Sequence, residues 1–235
     1  MVKGPGRLAA AVEWMDLPGT DAGELGRALR HLARVNRLFG GTRTVLTHLT
    51  PLLRVCPAPI RILDVATGYA DIPRAILRRT RRLGLQLEIE ALDHQDRIVE
   101  LAARASRGYP EIRIRSGDAL SLDYPDESFD VILASQVLHH MEGDEPVRLL
   151  SELYRVARRA VLVSDLRRGR WPLLVTWTAL RVVSRSRLIR HDGPMSIRRG
   201  FLAEELLALA REAGWGRAAV SRHAFFRLVL VGEKS

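Results

Sequence analysis

The sequence holds a single cysteine, Cys56, among 235 residues. One thiol makes neither a disulfide framework nor a thiolate metal site, so no metal is expected and a reducing cytoplasm fits. Lysine is nearly absent too: of 37 basic residues, all but Lys3 and Lys234 are arginine, against 27 acidic residues, for a net charge of +10. So lopsided a choice fits genome base composition as well as it fits a binding surface, and charge alone assigns no partner. A long apolar run is also missing. Residues 1–6 lack the apolar core of a secretion signal. The stretch from Trp171 to Val183 is broken by Arg181 and is shorter than the roughly 20 residues that a membrane span needs. No internal repeat and no low-complexity linker occurs, and a hydrophobic content of 47% excludes a disordered chain. The length suits one α/β core better than two independent domains.

What is present divides in two. Residues 1–58 read as a helical leader covering the site: Leu25, Leu29, Leu32, Val35 and Leu38 or Phe39 recur at helical spacing. Asp21 is a natural N-cap, with Glu24 placed for a capping box, and Gly40-Gly41 ends that helix. A second helix is expected over 42–54, closed by Pro57 and Pro59. Residues 59–235 then alternate short apolar runs with amphipathic ones. Strands are expected at 61–66, 87–92, 112–115, 129–134 and 160–164, and helices at 71–83, 96–107, 145–157 and 203–213. That alternation implies a Rossmann-like, mostly parallel sheet with helices on both faces. Two closing strands, 216–222 and 225–231, are joined by too short a link for anything but an antiparallel hairpin. The expected fold is therefore α/β, seven-stranded, with an antiparallel last strand and a cap inserted over about 166–200.

Right-handed crossovers place the strand C-termini on one edge, where open α/β sheets bind ligands. Three acidic segments fall there. The first strand runs into Asp64-Val65-Ala66-Thr67-Gly68-Tyr69-Ala70-Asp71, whose small residues allow close approach of a ligand to the backbone. Asp64 and Asp71 are unwelcome beside a pyrophosphate but suit an amine and a sulfonium. Asp93, beside His94, ends the second strand and can grip two ribose hydroxyls. Asp118 in Gly117-Asp118-Ala119 could accept from an adenine amino group, with the Ala119 N–H on a ring nitrogen. A dinucleotide dehydrogenase would want Gly-x-Gly-x-x-Gly after the first strand, and only Gly68 is there.

On these residues the region 60–164 resembles class I S-adenosylmethionine-dependent methyltransferases. Its first loop is most similar to the ubiquinone/menaquinone-biosynthesis branch, D-x-A-x-G-x-G-D, with Ala70 replacing the last glycine. A methyl there would narrow the methionine pocket. Ser128-Phe129-Asp130-Val131-Ile132 resembles the family's fourth-strand entry, and Ser135-Gln136-Val137-Leu138-His139-His140 its post-strand loop. The resemblance implies S-adenosylmethionine as cofactor and S-adenosylhomocysteine as product. It implies a cofactor site of Asp64, Ala66, Thr67, Gly68, Asp71, Asp93, His94, Asp118, Ala119 and Ser135. It also implies transfer to an oxygen or carbon of a small hydrophobic aromatic, quinone-like or polyketide-like acceptor.

His140 is the first candidate base, His139 its neighbour, and His191, in the segment Arg190–Arg199, the next. Arg198 and Arg199 could hold an acceptor carboxylate or simply face solvent. The apolar and arginine-rich stretch 171–190 reads three ways: a lid over a hydrophobic acceptor, an interfacial helix in peripheral membrane contact, or a helix packed on the core or in a homodimer. Monomer and homodimer both stay open. A non-catalytic cofactor-binding module is the alternative. A nucleic-acid methyltransferase is less expected, since the fourth-strand loop lacks an Asn/Asp-Pro-Pro-aromatic motif and a catalytic cysteine.

Overall fold

A computed structural model describes residues 6–8, 13–17, 21–184 and 186–234. Residues 1–5, on which the expected lack of a secretion signal partly rests, and Arg185 of the cap lie outside them. Seven strands, β1 (Ile60–Val65), β2 (Leu87–Asp93), β3 (Ile112–Ser116), β4 (Phe129–Ser135), β5 (Ala157–Leu166), β6 (Arg217–His223) and β7 (Arg227–Glu233), form one sheet in the order β3-β2-β1-β4-β5-β7-β6. The β1–β5 pairings are parallel, whereas β7 lies antiparallel between β5 and β6. The chain reverses from β6 to β7 through a turn at Ala224–Phe226.

Alternation along the strands sorts the core into two layers. Leu63, Val65, Ile132, Val161, Val163 and Leu230 pack on one side with Leu149, Leu153, Leu206 and Trp215. These partners come from α5 (Glu145–Val156), α8 (Ala203–Glu212) and the turn after α8. Ile60, Ile62, Val131, Leu133, Leu162 and Val229 pack on the other side with Val45, Leu49, Ile72 and Ile76, from α2 (Gly41–Arg54) and α3 (Asp71–Arg81). A strand buried on both faces reads as a continuous apolar run, which is how IRILDV and FDVILAS read. The remaining crossover helix, α4 (Asp96–Ala105), lies between β2 and β3.

Helix α1 (Ala22–Leu38) starts as its sequence dictates: Asp21 Oδ1 accepts from the Glu24 N–H at 2.8 Å. Its inward face departs from the expected one at one residue. Leu25 and Leu29 are buried, and of the two alternatives at the end of the stripe Phe39 turns inward while Leu38 is 75% exposed; the apolar spacing gives no sign of the buried Asn36. Between β5 and α8 the chain forms α6 (Arg170–Val183) and α7 (Arg187–Arg199), which pack on each other. No helix among the described residues is long and apolar enough to cross a membrane.

Candidate functional site

Two cavities open at the C-terminal edge of the parallel strands and share a wall. The larger, about 580 Å³, is lined by Ala66, Gly68, Asp93, His94, Asp118 and Ala119 from the loops after β1, β2 and β3. Met15, Leu25, Leu29 and Leu32 cover it from the leader. Six of the ten cofactor candidates therefore meet in one cleft. The Asp93 carboxylate accepts from the Gly68 N–H at 2.9 Å and the Gln95 N–H at 3.2 Å, which ties the first two loops together. Asp118 accepts from the Leu120 N–H at 2.8 Å and lies at the mouth.

Asp64, Thr67, Asp71 and Ser135 are not on that wall. Asp64 lies beneath it, accepting a 2.6 Å hydrogen bond from the Thr67 hydroxyl. Burial, with added repulsion from Asp71 and Asp93, pushes its pKa up to about 7. Burial likewise raises Asp71 and Asp93, and Asp71 Oδ2 has no hydrogen-bond partner among the described residues. The expectation that Ala70 narrows the pocket is corrected by its position. Ala70 is fully buried and is not among the residues that line the cleft, and its backbone is left-handed, φ 52°. The substitution therefore costs backbone strain rather than cofactor space. Ala66 and Gln136, both in the cleft wall, are left-handed as well.

The smaller cavity, about 210 Å³, shares Met15, Leu32, Gln136 and His140 with the cleft. Its walls are mainly apolar, from Val35, Phe39, Leu180, Ile197 and Phe226, with Glu13, Asn36, His139 and Arg227 interspersed. Behind it, the buried Asp165 at the end of β5 lies 2.7 Å from His139 Nδ1 and accepts from the His139 and Leu166 N–H groups. Burial opposes ionisation of Asp165, but the charge and hydrogen bond of His139 outweigh it and hold the carboxyl below its ordinary pKa. The contact of Asp165 with Nδ1 orients the ring and turns Nε2 toward Glu13. That nitrogen lies 3.7 Å from Glu13 Oε1, and His140 Nε2 lies 4.0 Å from Glu13 Oε2. The Ser196 hydroxyl fixes Glu13 at 2.6 Å.

The histidine candidates thus separate by surroundings. His139 has the orienting carboxylate, His140 stands where the cavities join, and His191 lines neither. His191 bonds its neighbour Asp192 at 2.8 Å and stacks on Trp14 at 3.9 Å. Asp192 also accepts from the Trp14 and Met15 N–H groups, so this pair fastens the leader to α7. Arg199 neither faces solvent nor reaches toward an acceptor. It is buried, donating to the His139 and His140 carbonyls at 2.8 and 2.7 Å. Arg198 is exposed.

Sequence reasoning missed Asp165, Glu13, Asn36 and Arg227. Asp165 carries the signal that singled out Asp64 and Asp93, an acid closing an apolar strand. Glu13 and Asn36 depend on how the leader folds back, and Arg227 is hidden among many arginines.

Residues 63–163 match the methyltransferase domain family. This segment is similar to a methyltransferase domain, and it lies within the Rossmann-like sheet. Over 101 residues it is 36% identical to the demethylmenaquinone methyltransferase of Thermus thermophilus, covering 42% of this chain and 43% of the relative. Over 99 residues it is 30% identical to the demethylmenaquinone methyltransferase of Lactobacillus johnsonii, covering 41% of this chain and 38% of the relative. The chain thus spans less than half the length of these two curated relatives. The fold is shared with a SAM-dependent methyltransferase from Aquifex aeolicus, at TM-score 0.65 and 18% identity over 88% of this chain and 97% of that one. It is shared too with the CMeT domain of the citrinin polyketide synthase, at TM-score 0.68 and 14% identity over 93% and 60%.

The cofactor of such a domain is S-adenosylmethionine, and the cleft suits it. Asp93 in its wall is a carboxylate burdened by burial, and the buried Asp64 beneath it feels the same field, so a ligand bearing an amine and a sulfonium is favoured there. A pyrophosphate would add to their repulsion.

Proposed function

We propose that the protein transfers a methyl group from S-adenosylmethionine to an acidic oxygen or carbon of a hydrophobic aromatic, quinone-like or polyketide-like acceptor. The observation that carries this is the junction of the two cavities at Gln136 and His140, with the Asp165-backed His139 on the acceptor side. When bound, the cofactor supplies both the electrophilic methyl and its leaving group. The protein aligns, excludes water and moves a proton.

His139 Nε2 takes the acceptor proton, and Asp165 stabilises the charge the ring then bears. His140 and Gln136 position the acceptor across the shared wall. Leu25, Leu29 and Leu32 of α1, with Leu180 of α6, keep water out. Glu13, held by Ser196, lies near both histidines and offsets the positive charge that the proton brings. The names of the Thermus thermophilus and citrinin-synthase relatives, one acting on a quinone precursor and one set in a polyketide synthase, support this class of acceptor.

The outer face of α6 supports an amphiphilic acceptor. Trp171 is 73% exposed and Val182 82%, with Leu174, Val175 and Trp177 also exposed between them. Positions 166–200 hold nine arginines, of which Arg168 and Arg199 are buried, and one acid, Asp192, also buried. An apolar stripe in so arginine-rich a segment fits an anionic lipid surface, and two such faces would repel each other in a dimer. The helix therefore rests on the membrane, and its inner residues Thr176, Ala179 and Leu180 wall the acceptor cavity. No arginine among the described residues lines the cofactor cleft, which stands against a nucleic-acid acceptor.

The deciding experiment measures S-adenosylhomocysteine binding to the folded protein, then labelled methyl transfer to a panel of phenols and quinols. No detectable binding refutes the reading. Binding without transfer to any acceptor favours the non-catalytic module. Co-sedimentation with phosphatidylglycerol vesicles, but not phosphatidylcholine vesicles, checks the membrane contact. Sedimentation with neither removes it.

A further inference from the structure

One cation in the acceptor cavity has no counter-ion among the described residues. Arg227, at the start of β7, is 5% exposed and lines the cavity. Its Nη2 donates to Asn36 Oδ1 at 2.9 Å. Nε and Nη1 are buried and find no hydrogen-bond partner among the described residues. Nor does any carboxylate among them reach ion-pair distance of the guanidinium. Asp165 and Asp71 act on it only through space, and Asp165 is already bound by His139 and Leu166.

The group is built in rather than stranded. Gly41 opens α2 against the guanidinium, and a Cβ at Gly41 would stand 2.7 Å from the Arg227 guanidinium carbon. Asn36 Oδ1 also accepts from Gln136 Nε2 at 2.9 Å. The leader, the β4 loop and β7 thus bring one hydrogen-bonded trio to the cavity wall. Burial pulls the Arg227 pKa down to about 10, still protonated at neutral pH. A buried charge with two unmatched donors is expensive unless a ligand completes it.

We infer that Arg227, seconded by Asn36 and Gln136, binds the acceptor as its conjugate base, an aromatic phenolate or enolate whose oxygen faces the guanidinium in the cavity wall. This rests on the reading of the smaller cavity as the acceptor site. It narrows the substrate to an apolar ring system bearing one acidic hydroxyl. Arg227 stabilises the anion by charge-assisted hydrogen bonds, and the proton lost from the hydroxyl passes to His139 Nε2 and on to solvent. The anion is the nucleophile, through oxygen or through the conjugated carbon. A neutral amine acceptor would leave the guanidinium unanswered.

4-Nitrophenol reports its own ionisation by colour. It is titrated into the protein loaded with S-adenosylhomocysteine, and the phenolate band is followed against pH. In the wild type the bound probe should ionise about one pH unit or more below the free phenol. Arg227→Met should abolish that shift, and Arg227→Lys should keep part of it, both with S-adenosylhomocysteine affinity within about twofold of wild type. On the unaltered protein, which guards against a variant that fails to fold, benzoate should displace the probe at least about tenfold better than benzamide. An unchanged shift in Arg227→Met, preferential binding of the neutral phenol, no probe binding, or equal displacement by benzoate and benzamide overturns the inference. Benzoate that binds tightly while the phenol never ionises shows that the site takes a carboxylate instead, and also overturns it. Failure of S-adenosylhomocysteine itself to bind condemns the methyltransferase reading and is seen before any probe is added.

Discussion

Replacing Asp64 by Asn should make the protein more stable at neutral pH and less able to hold its cofactor. Asp64 is 2% exposed and ionises at about 7, because burial disfavours its charge. Its unfolded value is the ordinary 3.8. A carboxyl raised on folding contributes stability that is complete below the unfolded pKa and disappears as pH climbs through the folded one. Each tenfold change in proton affinity is worth about 1.4 kcal/mol, so between about pH 5 and pH 8 this one group removes about 3 kcal/mol from the apo protein. Asn keeps the hydrogen bond from Thr67 without the charge. Urea unfolding of both proteins across that range should show the stability gap in favour of Asp64→Asn widening by about 2–3 kcal/mol as pH rises. Cofactor binding should work in the opposite sense. A cationic ligand draws the Asp64 pKa back down, so wild-type binding near neutrality releases a proton, measurable by calorimetry in buffers of different ionisation heat. A gap that stays flat with pH, or binding with no proton release, would refute the idea that Asp64 is a carboxyl kept near its titration point for the cofactor.

Other outcomes can be checked in the same way. Asp93→Ala should weaken S-adenosylhomocysteine binding by at least about tenfold, since it removes both the ribose acceptor and the tie to Gly68; equilibrium dialysis reads it. Asp165→Asn should cut turnover by about 10²–10⁴-fold while leaving cofactor binding nearly intact, and His140→Ala should cut it less; steady-state kinetics beside dialysis separates the two. Glu13, His139 and His140 offer donor atoms within 4.8 Å of one another, so zinc should inhibit by occupying His139 Nε2, and a chelator should restore rather than abolish turnover. Gly232→Val should destabilise by about 1–3 kcal/mol or more, because even a Cβ there would lie 2.3 Å from the Trp215 ring; thermal unfolding shows it.

The strands and crossover helices were legible because burial on both faces leaves apolar runs such as IRILDV, and the ends shifted by only a residue or two. β5 is the exception. It begins at Ala157, three residues earlier than its apolar run, since Ala157 pairs with Phe129 and the exposed Arg158 and Arg159 fall at an irregularity before pairing resumes at Ala160. The cleft was legible at the strand ends, where Asp93 and Asp118 line it. Asp64 and Asp71 stand off its wall: a sequence places an acid at a strand end without saying whether the side chain turns into the cleft or under it. The acceptor side was hardly legible. Glu13 and Asn36 reach it only through the folding back of a leader whose apolar spacing pointed to Leu32, Val35 and Leu38 or Phe39 and not to its polar residues. Arg227 gains meaning only from the polar partners it lacks.

Helix α1 and Met15 stand between the two cavities. Leu32, Gln136, His140 and Met15 cannot settle against one ligand without settling the wall that greets the other. The affinities for the methyl donor and for its recipient are therefore coupled, each altering the other by the same factor. A recipient in place would change how fast the spent donor departs, so the pace of repeated turnover would belong as much to the movement of one helix as to the proton on His139.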